Sequence, residues 1–370
     1  MATRRHIVLG TAAAAAGAVA LRGALAGPSA PASARLEDAQ STEWGVEPPQ
    51  AHGLDAVALE QLLSDAAAVR GMRSLLVARD GVLVGERYYD RTGANELQPI
   101  HSCTKSLCSL LVGQALERGT LPGLDATVGE LLSQPGADQP SAAARASLRQ
   151  LLTGRSAVAY DWSRQMRELE QASDPVRYAL ALPADAQGAG RWTYNDAAIS
   201  LLSPILARVE GSDLADLARR DLFAPLGITH FGWRRDRADL PLAYGGVSLR
   251  PRDLLKLAWM TLDGGRWRGR QVVPAPWVAQ STASHGPAGW RVEPVTDIGY
   301  GYLWFTGRLH GEAVAWAWGH GAQYALMVPR LRLAVVTMAS APPASELMAH
   351  NNAVMALVAR AVQLAAQGDR

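Results

Sequence analysis

The sequence predicts an α+β fold: one antiparallel sheet flanked by an N-terminal and a C-terminal helix, with a helical domain beside it. Three observations lead there. Strand-like apolar runs gather in two places, near residues 74–88 and 300–338, and each group is broken by hairpin-type turns. The stretch between them, 120–240, is mostly helical in pattern and broken by Pro and Gly. Amphipathic helical periodicity appears at Leu54–Val69 and again at Glu346–Ala366, outside both groups of strands.

The first 26 residues read as a targeting segment. Thr3-Arg4-Arg5-His6-Ile7-Val8 is a twin-arginine start, an alanine-rich apolar run follows to Leu21, and Ala24-Leu25-Ala26 offers small residues for cleavage. The run is too short and too rich in Ala and Gly to read as a membrane span; an uncleaved anchor or a start-site artefact is the alternative. The expectation is therefore a twin-arginine signal peptide over 1–26 and a periplasmic or secreted protein without stable membrane insertion after cleavage. Residues 27–50, rich in Pro, Ala and Ser, read as a linker. The folded domain is expected over 51–368, with its sheet part in about 51–100 and 265–368 and its helical part in about 101–264.

Within that domain, Ser74–Arg79 and Val82–Tyr88 flank Asp80-Gly81, a strong hairpin signal. The spacing then predicts a buried helix after Ser102, a short helix end at Leu148–Thr153, and a helix over Ala197–Val209 interrupted at Pro204. Pro251 and Asp253 open a further helix through Leu262. Tyr300–Thr306, Ala313–Trp318, Tyr324–Val328 and Leu333–Met338 read as successive strands.

Composition narrows the functional classes. Of 370 residues 48% are apolar, enough for a sizeable core, and the formal net charge is only +2 with both signs interspersed. Neither nucleic acid nor an anionic membrane surface is an expected partner. Cys103 and Cys108, the two cysteines, point about 140° apart on one helix and are not expected to pair. No metal-ligand spacing, phosphate loop or Gly-x-Ser-x-Gly elbow is present, and neither a metal nor a cofactor is expected.

The chemistry gathers around His101-Ser102-Cys103-Thr104-Lys105. Apolar residues at 107, 110, 111, 112, 115 and 116 put this stretch at the start of a helix, with Gly119 as its stop. Positions i and i+3 share a helix face, so the Lys105 amine can reach the Ser102 hydroxyl. A serine needs a neighbouring base to attack a carbonyl, and a desolvated lysine can act as one. The chain has two lysines, Lys105 and Lys256; the rest of its 36 Lys+Arg are arginine, which cannot be deprotonated. A serine N-cap followed by a lysine snorkelling to solvent would leave the same pattern.

Two further stretches bear on this pair. In Tyr194-Asn195-Asp196, a tyrosine beside Lys105 would have its pKa lowered by the ammonium and could take the serine proton, while Asp196 could orient the lysine. A core tyrosine and an aspartate N-cap are the alternative. In Trp318-Gly319-His320-Gly321-Ala322-Gln323, small residues let backbone N–H groups approach a ligand. His320 there can serve chemistry or make a structural hydrogen bond.

Ser-x-x-Lys, Tyr-x-Asp and His-Gly-Ala, in this order, resemble the three motifs of the serine β-lactamase and penicillin-binding-protein superfamily. The resemblance covers roughly residues 50–365 and is closest to the class C-like branch that holds family VIII carboxylesterases, D-aminopeptidases and 6-aminohexanoate-dimer hydrolases. It implies a β-lactamase/transpeptidase-like fold and a serine hydrolase acting through an acyl-enzyme on Ser102. Lys105 would then be the base partner and Tyr194 the second-motif tyrosine. Asp196 stands where the family usually has Asn, and His320-Gly321-Ala322 where it has Lys-Thr-Gly. The oxyanion hole would be the backbone N–H of Ser102 with that of Ala322 or Gln323. His320 is a poorer anchor for a substrate carboxylate than lysine, which turns the expectation from β-lactams toward uncharged esters or amides. Trp162, Trp290, Trp304, Trp316 and Trp318 leave room for an aromatic-lined cleft, with Tyr160, Trp162 and Trp318 taken as its walls. The expected partner is a small-molecule ester or amide substrate. A β-lactamase or D-alanyl-D-alanine carboxypeptidase is the enzymatic alternative, and a catalytically silent binding protein of the same fold is the other.

Overall fold

A computed structural model describes residues 44–91, 93–132, 141–186, 188 and 190–368. The expected signal peptide and most of the expected linker lie outside the described residues.

Helix α1 (Ala56–Asp65) starts where Asp55 accepts hydrogen bonds from the Val57 and Ala58 amides, and it buries Leu59, Leu62 and Leu63. Strands β1 (Met72–Arg79) and β2 (Val82–Tyr88) form the expected hairpin. Helix α2 spans Cys103–Glu117, directly after Ser102, and α3 spans Trp162–Gln171. The helix expected over 197–209 is two: α4 (Asp196–Ser200) and α5 (Leu202–Glu210). The break comes at Leu201, ahead of Pro204, because proline has no N–H to offer Ser200 and its ring crowds that carbonyl.

After α6 (Pro251–Leu262) come β3 (Thr296–Tyr300), β4 (Phe305–Leu309), β5 (Glu312–Gly319), β6 (Gln323–Val328), β7 (Leu333–Ala339) and the closing helix α7 (Leu347–Gly368). The sheet is seven-stranded in the order β2-β1-β7-β6-β5-β4-β3, and every pair is antiparallel. The β1–β7 pairing joins the two groups of strands into one sheet. All residues of β6 and β7 are buried, so both faces of the sheet are covered. The terminal helices α1 and α7 pack together and on β2 and β7, while α2 and α6 pack on β1 and β5–β7.

One expectation needs correction. Tyr300–Thr306 is not one strand: residues 301–304 are the turn between β3 and β4. Gly301 N donates to Trp304 O at 2.8 Å, Leu303 has φ +65°, and Leu303 N donates to Leu152 O. A Cβ on Gly301 would lie 2.1 Å from Ser281 O, so a side chain cannot fit there. Helix α6, inside the expected helical part, packs on β1, β6 and β7. No helix among the described residues is long and apolar enough to cross a membrane.

Candidate active site

Helix α2 is buried along Cys103–Ala115. Three of its polar side chains bond to distant backbone: Thr104 Oγ1 accepts from Val247 N at 3.1 Å, Ser106 Oγ donates to Leu303 O at 2.7 Å, and Gln114 Nε2 donates to Asp221 O and Val272 O. These bonds lock the helix that carries the candidate nucleophile. Ahead of it, His101 takes a left-handed backbone conformation, φ +48°, that sharply turns the chain into Ser102. The Ser102 side chain does not cap the helix; its Oγ accepts from Lys105 Nζ at 2.9 Å.

Lys105 does not snorkel. It is 3% exposed. Its ammonium also donates to Tyr244 O at 2.6 Å and ion-pairs with Asp196 Oδ1 at 2.7 Å. Two of its N–H groups are thus given to Ser102 and Tyr244, and its charge is matched by Asp196. The Tyr194 ring lies over Nζ at 4.7 Å, a cation–π contact, and Tyr194 also shares a side-chain hydrogen bond with Ser102.

The N-cap expected of Asp196 falls to its neighbour. Asn195 Oδ1 accepts from Ala198 N at 2.9 Å while its Nδ2 donates to Val158 O. Asp196 is thereby free to face inward, with Oδ1 on Lys105 and Oδ2 accepting from Trp162 Nε1 at 2.9 Å. The expected lowering of the Tyr194 pKa is overturned: burial first, then the Asp196 charge, push the phenol well above its ordinary value, and the hydrogen bond with Ser102 only partly offsets them. Burial likewise pushes the Cys108 thiol up to about 12, and Cys103 and Cys108 are buried, unpaired thiols.

Ser102 opens into a cavity of about 390 Å³. Trp162, Tyr194, Trp290 and Trp318 form aromatic walls, Gly319 and His320 a third side, and Arg291, Leu347, Met348 and Asn351 line it further. Tyr194 stacks on Trp290 at 4.2 Å. His320 meets His101 edge-on at 5.8 Å and Trp162 at 6.2 Å, and burial holds its pKa below the usual imidazole value. Gly319 lies so close to the approach to Ser102 that a Cβ would sit 2.3 Å from Ile100 O.

Of the other expected site residues, Ala322 and Gln323 are buried; Gln323 Nε2 donates to His320 O, Gly321 O and Ala339 O and closes the hairpin. The part of this hairpin facing the cleft is Trp318-Gly319-His320. Tyr160 turns inward, with its hydroxyl 3.7 Å from Met166 Sδ, and is not a cleft wall. Trp304 and Trp316 are core. Sequence reasoning missed the Tyr244 carbonyl, His101 and the start of α7. A backbone acceptor has no residue signature, but Met348, at the start of α7, is an apolar side chain that a cleft can use.

A family model described as Beta-lactamase matches residues 57–360. A 6-aminohexanoate-dimer hydrolase from Paenarthrobacter ureafaciens is 26% identical over 271 residues, 67% of this chain and 65% of the relative, so the match spans just under two thirds of that protein. Among solved structures, the D-amino acid amidase from Ochrobactrum anthropi SV3, complexed with L-phenylalanine amide, has a TM-score of 0.64 at 17% identity and covers 85% of this chain and 99% of its own. A hydrolase with promiscuous acyltransferase activity has a TM-score of 0.64 at 17% identity and covers 88% and 100%. At these identities the structures establish the shared fold.

Proposed function

The chain belongs to the beta-lactamase family, and from that premise we propose that it is a serine hydrolase cleaving an ester or amide bond of a small molecule through an acyl-enzyme on Ser102. The observation that carries this reading is the 2.9 Å contact between Lys105 Nζ and Ser102 Oγ at the floor of the aromatic cleft.

In the proposed reaction a proton moves from Lys105 to Asp196 Oδ1, 2.7 Å away, and frees the amine lone pair. Lys105 then takes the Ser102 proton as Oγ attacks the carbonyl carbon. The neutral Tyr194 phenol gives its proton to the departing oxygen or nitrogen and recovers one from Lys105. Asp196 returns its proton to Lys105, so the serine proton ends on the leaving group. A water repeats the sequence in reverse on the acyl-enzyme. Tyr194 acts here as an acid and not as a standing base, consistent with its raised pKa. The amide N–H of Ser102 and one from Gly319–Gln323 are proposed to hold the oxyanion.

The substrate class is proposed to be an ester or linear amide with an apolar or aryl group against Trp162, Trp290 and Trp318. His320, kept neutral at pH 7 by burial, offers no fixed charge for a carboxylate. A carboxylate-bearing substrate is a second reading, favoured by Arg291 in the cleft lining. A panel of p-nitrophenyl butyrate, a linear amide with and without a terminal carboxylate, and nitrocefin tests both, with fluorophosphonate labelling of Ser102. The expected result is labelling abolished by Ser102→Ala and ester turnover far above nitrocefin turnover; comparable rates on the two refute the substrate class. Export by the twin-arginine route is also proposed from Arg4-Arg5 and Ala24-Leu25-Ala26. It predicts that Arg4→Lys with Arg5→Lys traps precursor in the cytoplasm.

A further inference from the structure

We propose that Trp162 is a positioning residue that acts through Asp196 on Lys105, and that Trp162 and Asp196 form a matched pair in which Asp196 cannot become Asn while Trp162 remains. The catalytic sense of the pair rests on the acylation reading above.

The argument begins with donor and acceptor inventory. Asp196 is 2% exposed, and its two oxygens meet two different partners: Lys105 Nζ at 2.7 Å and Trp162 Nε1 at 2.9 Å. An ammonium and an indole N–H are donors only, whereas a carboxylate accepts at both oxygens. Oδ2 accepts the indole hydrogen bond, and Oδ1 faces the ammonium as its ion-pair partner. A carboxamide accepts at one end and donates at the other. Whichever way Asn were turned at 196, its NH₂ would face a donor at hydrogen-bonding distance, Lys105 in one orientation and Trp162 in the other. The aspartate in the second motif is therefore tied to a tryptophan 34 residues earlier in the chain.

Trp162 is held in place for this by the start of its own helix. It is the first residue of α3, and Asp161 caps that helix by accepting from Ser163 N at 3.0 Å. The indole N–H points to Asp196 while the ring remains 38% exposed and lines the cleft with Ser102. One side chain thus walls the cleft and anchors the carboxylate that holds the amine. Phenylalanine at 162 keeps the wall and removes only the anchor.

The test uses wild type, Trp162→Phe, Asp196→Asn and the double variant. Acylation by p-nitrophenyl butyrate is followed by stopped flow, and melting temperature is measured on the same samples. Trp162→Phe is expected to lower the acylation rate constant about tenfold, the loss of one hydrogen bond to a charged group, with KM within about twofold. Asp196→Asn is expected to lose more and to melt lower. The double variant is expected to acylate faster and melt higher than Asp196→Asn alone, because the amide can give its oxygen to Lys105 and turn its NH₂ toward the position the indole N–H has left. Additive losses, with the double variant no better than Asp196→Asn, overturn the pairing even if Ser102 acylates normally. A wild type that is not acylated overturns the catalytic role along with the proposed function, and the melting temperatures then decide the pairing by themselves.

Discussion

Lys105→Arg separates a lysine that must exchange a proton from one that only supplies charge. Lys105 is 3% exposed; its ammonium donates to Ser102 Oγ and Tyr244 O at 2.9 and 2.6 Å and ion-pairs with Asp196 Oδ1 at 2.7 Å. Arginine keeps the cation beside Asp196, so the carboxylate is not abandoned. It cannot release a proton near neutrality, and its planar fork cannot converge on three oxygens from one nitrogen. Positioned acid–base groups contribute ~10²–10⁴-fold in rate, which at about 1.4 kcal/mol per tenfold is roughly 3–5 kcal/mol of transition-state stabilisation. Overpacking by the larger side chain costs about 1–3 kcal/mol of fold stability. Lys105→Ala is the contrasting control, because it leaves the Asp196 carboxylate buried without its cation, at about 3–5 kcal/mol. The expected order is therefore distinctive: the arginine variant melts above the alanine variant yet acylates no better. Stopped-flow acylation by an activated ester, run beside thermal melts, reads both quantities. A folded Lys105→Arg protein acylating within a few-fold of wild type would refute proton exchange through Lys105.

Tyr194→Phe keeps the ring over Lys105 and the stack on Trp290 but removes the hydroxyl. Acylation should fall ~10²–10⁴-fold with little change in melting temperature; retained activity would remove Tyr194 from the proton path. Burial, helped by His320, holds the His101 imidazole down to about 4 from an ordinary 6.5. As pH falls through 6.5 the unfolded chain binds this proton and the folded chain does not, so stability drops between pH 6.5 and 4 and the slope ends below. His101→Asn, which tolerates the left-handed backbone, should lose less melting temperature between pH 7 and 4.5 than wild type, and an equal drop would sink the assignment. Gly319→Ala puts a Cβ 2.3 Å from Ile100 O and should cost both acylation and melting temperature. A variant indistinguishable from wild type in both assays would show that this close approach is not required.

Local pattern alone determined much of this molecule. The hairpin at Asp80-Gly81, the helices α1 and α7 and the strands β5 to β7 follow from periodicity and turn chemistry within a few residues of each position. Reach between Ser102 and Lys105 is also local, since i and i+3 share a helix face. What the pattern left open was decided by contacts across the chain. From the sequence Asp196 reads as an N-cap before it reads as a partner of Lys105, and the choice turns on Asn195 having taken the cap. Residues 300–306 read as a strand and became a turn because Gly301 lies against Ser281 O and Leu303 docks on Leu152. Tyr160 and Trp162 are both aromatic residues at the start of α3, yet one points to Met166 and the other to Asp196 and the cleft. The sign of the Tyr194 shift is the clearest case. Sequence puts a cation near the phenol, but only the folded structure sets how deeply the phenol is buried and how near the Asp196 carboxylate lies, and desolvation together with that charge outweighs the lowering by the Ser102 hydrogen bond.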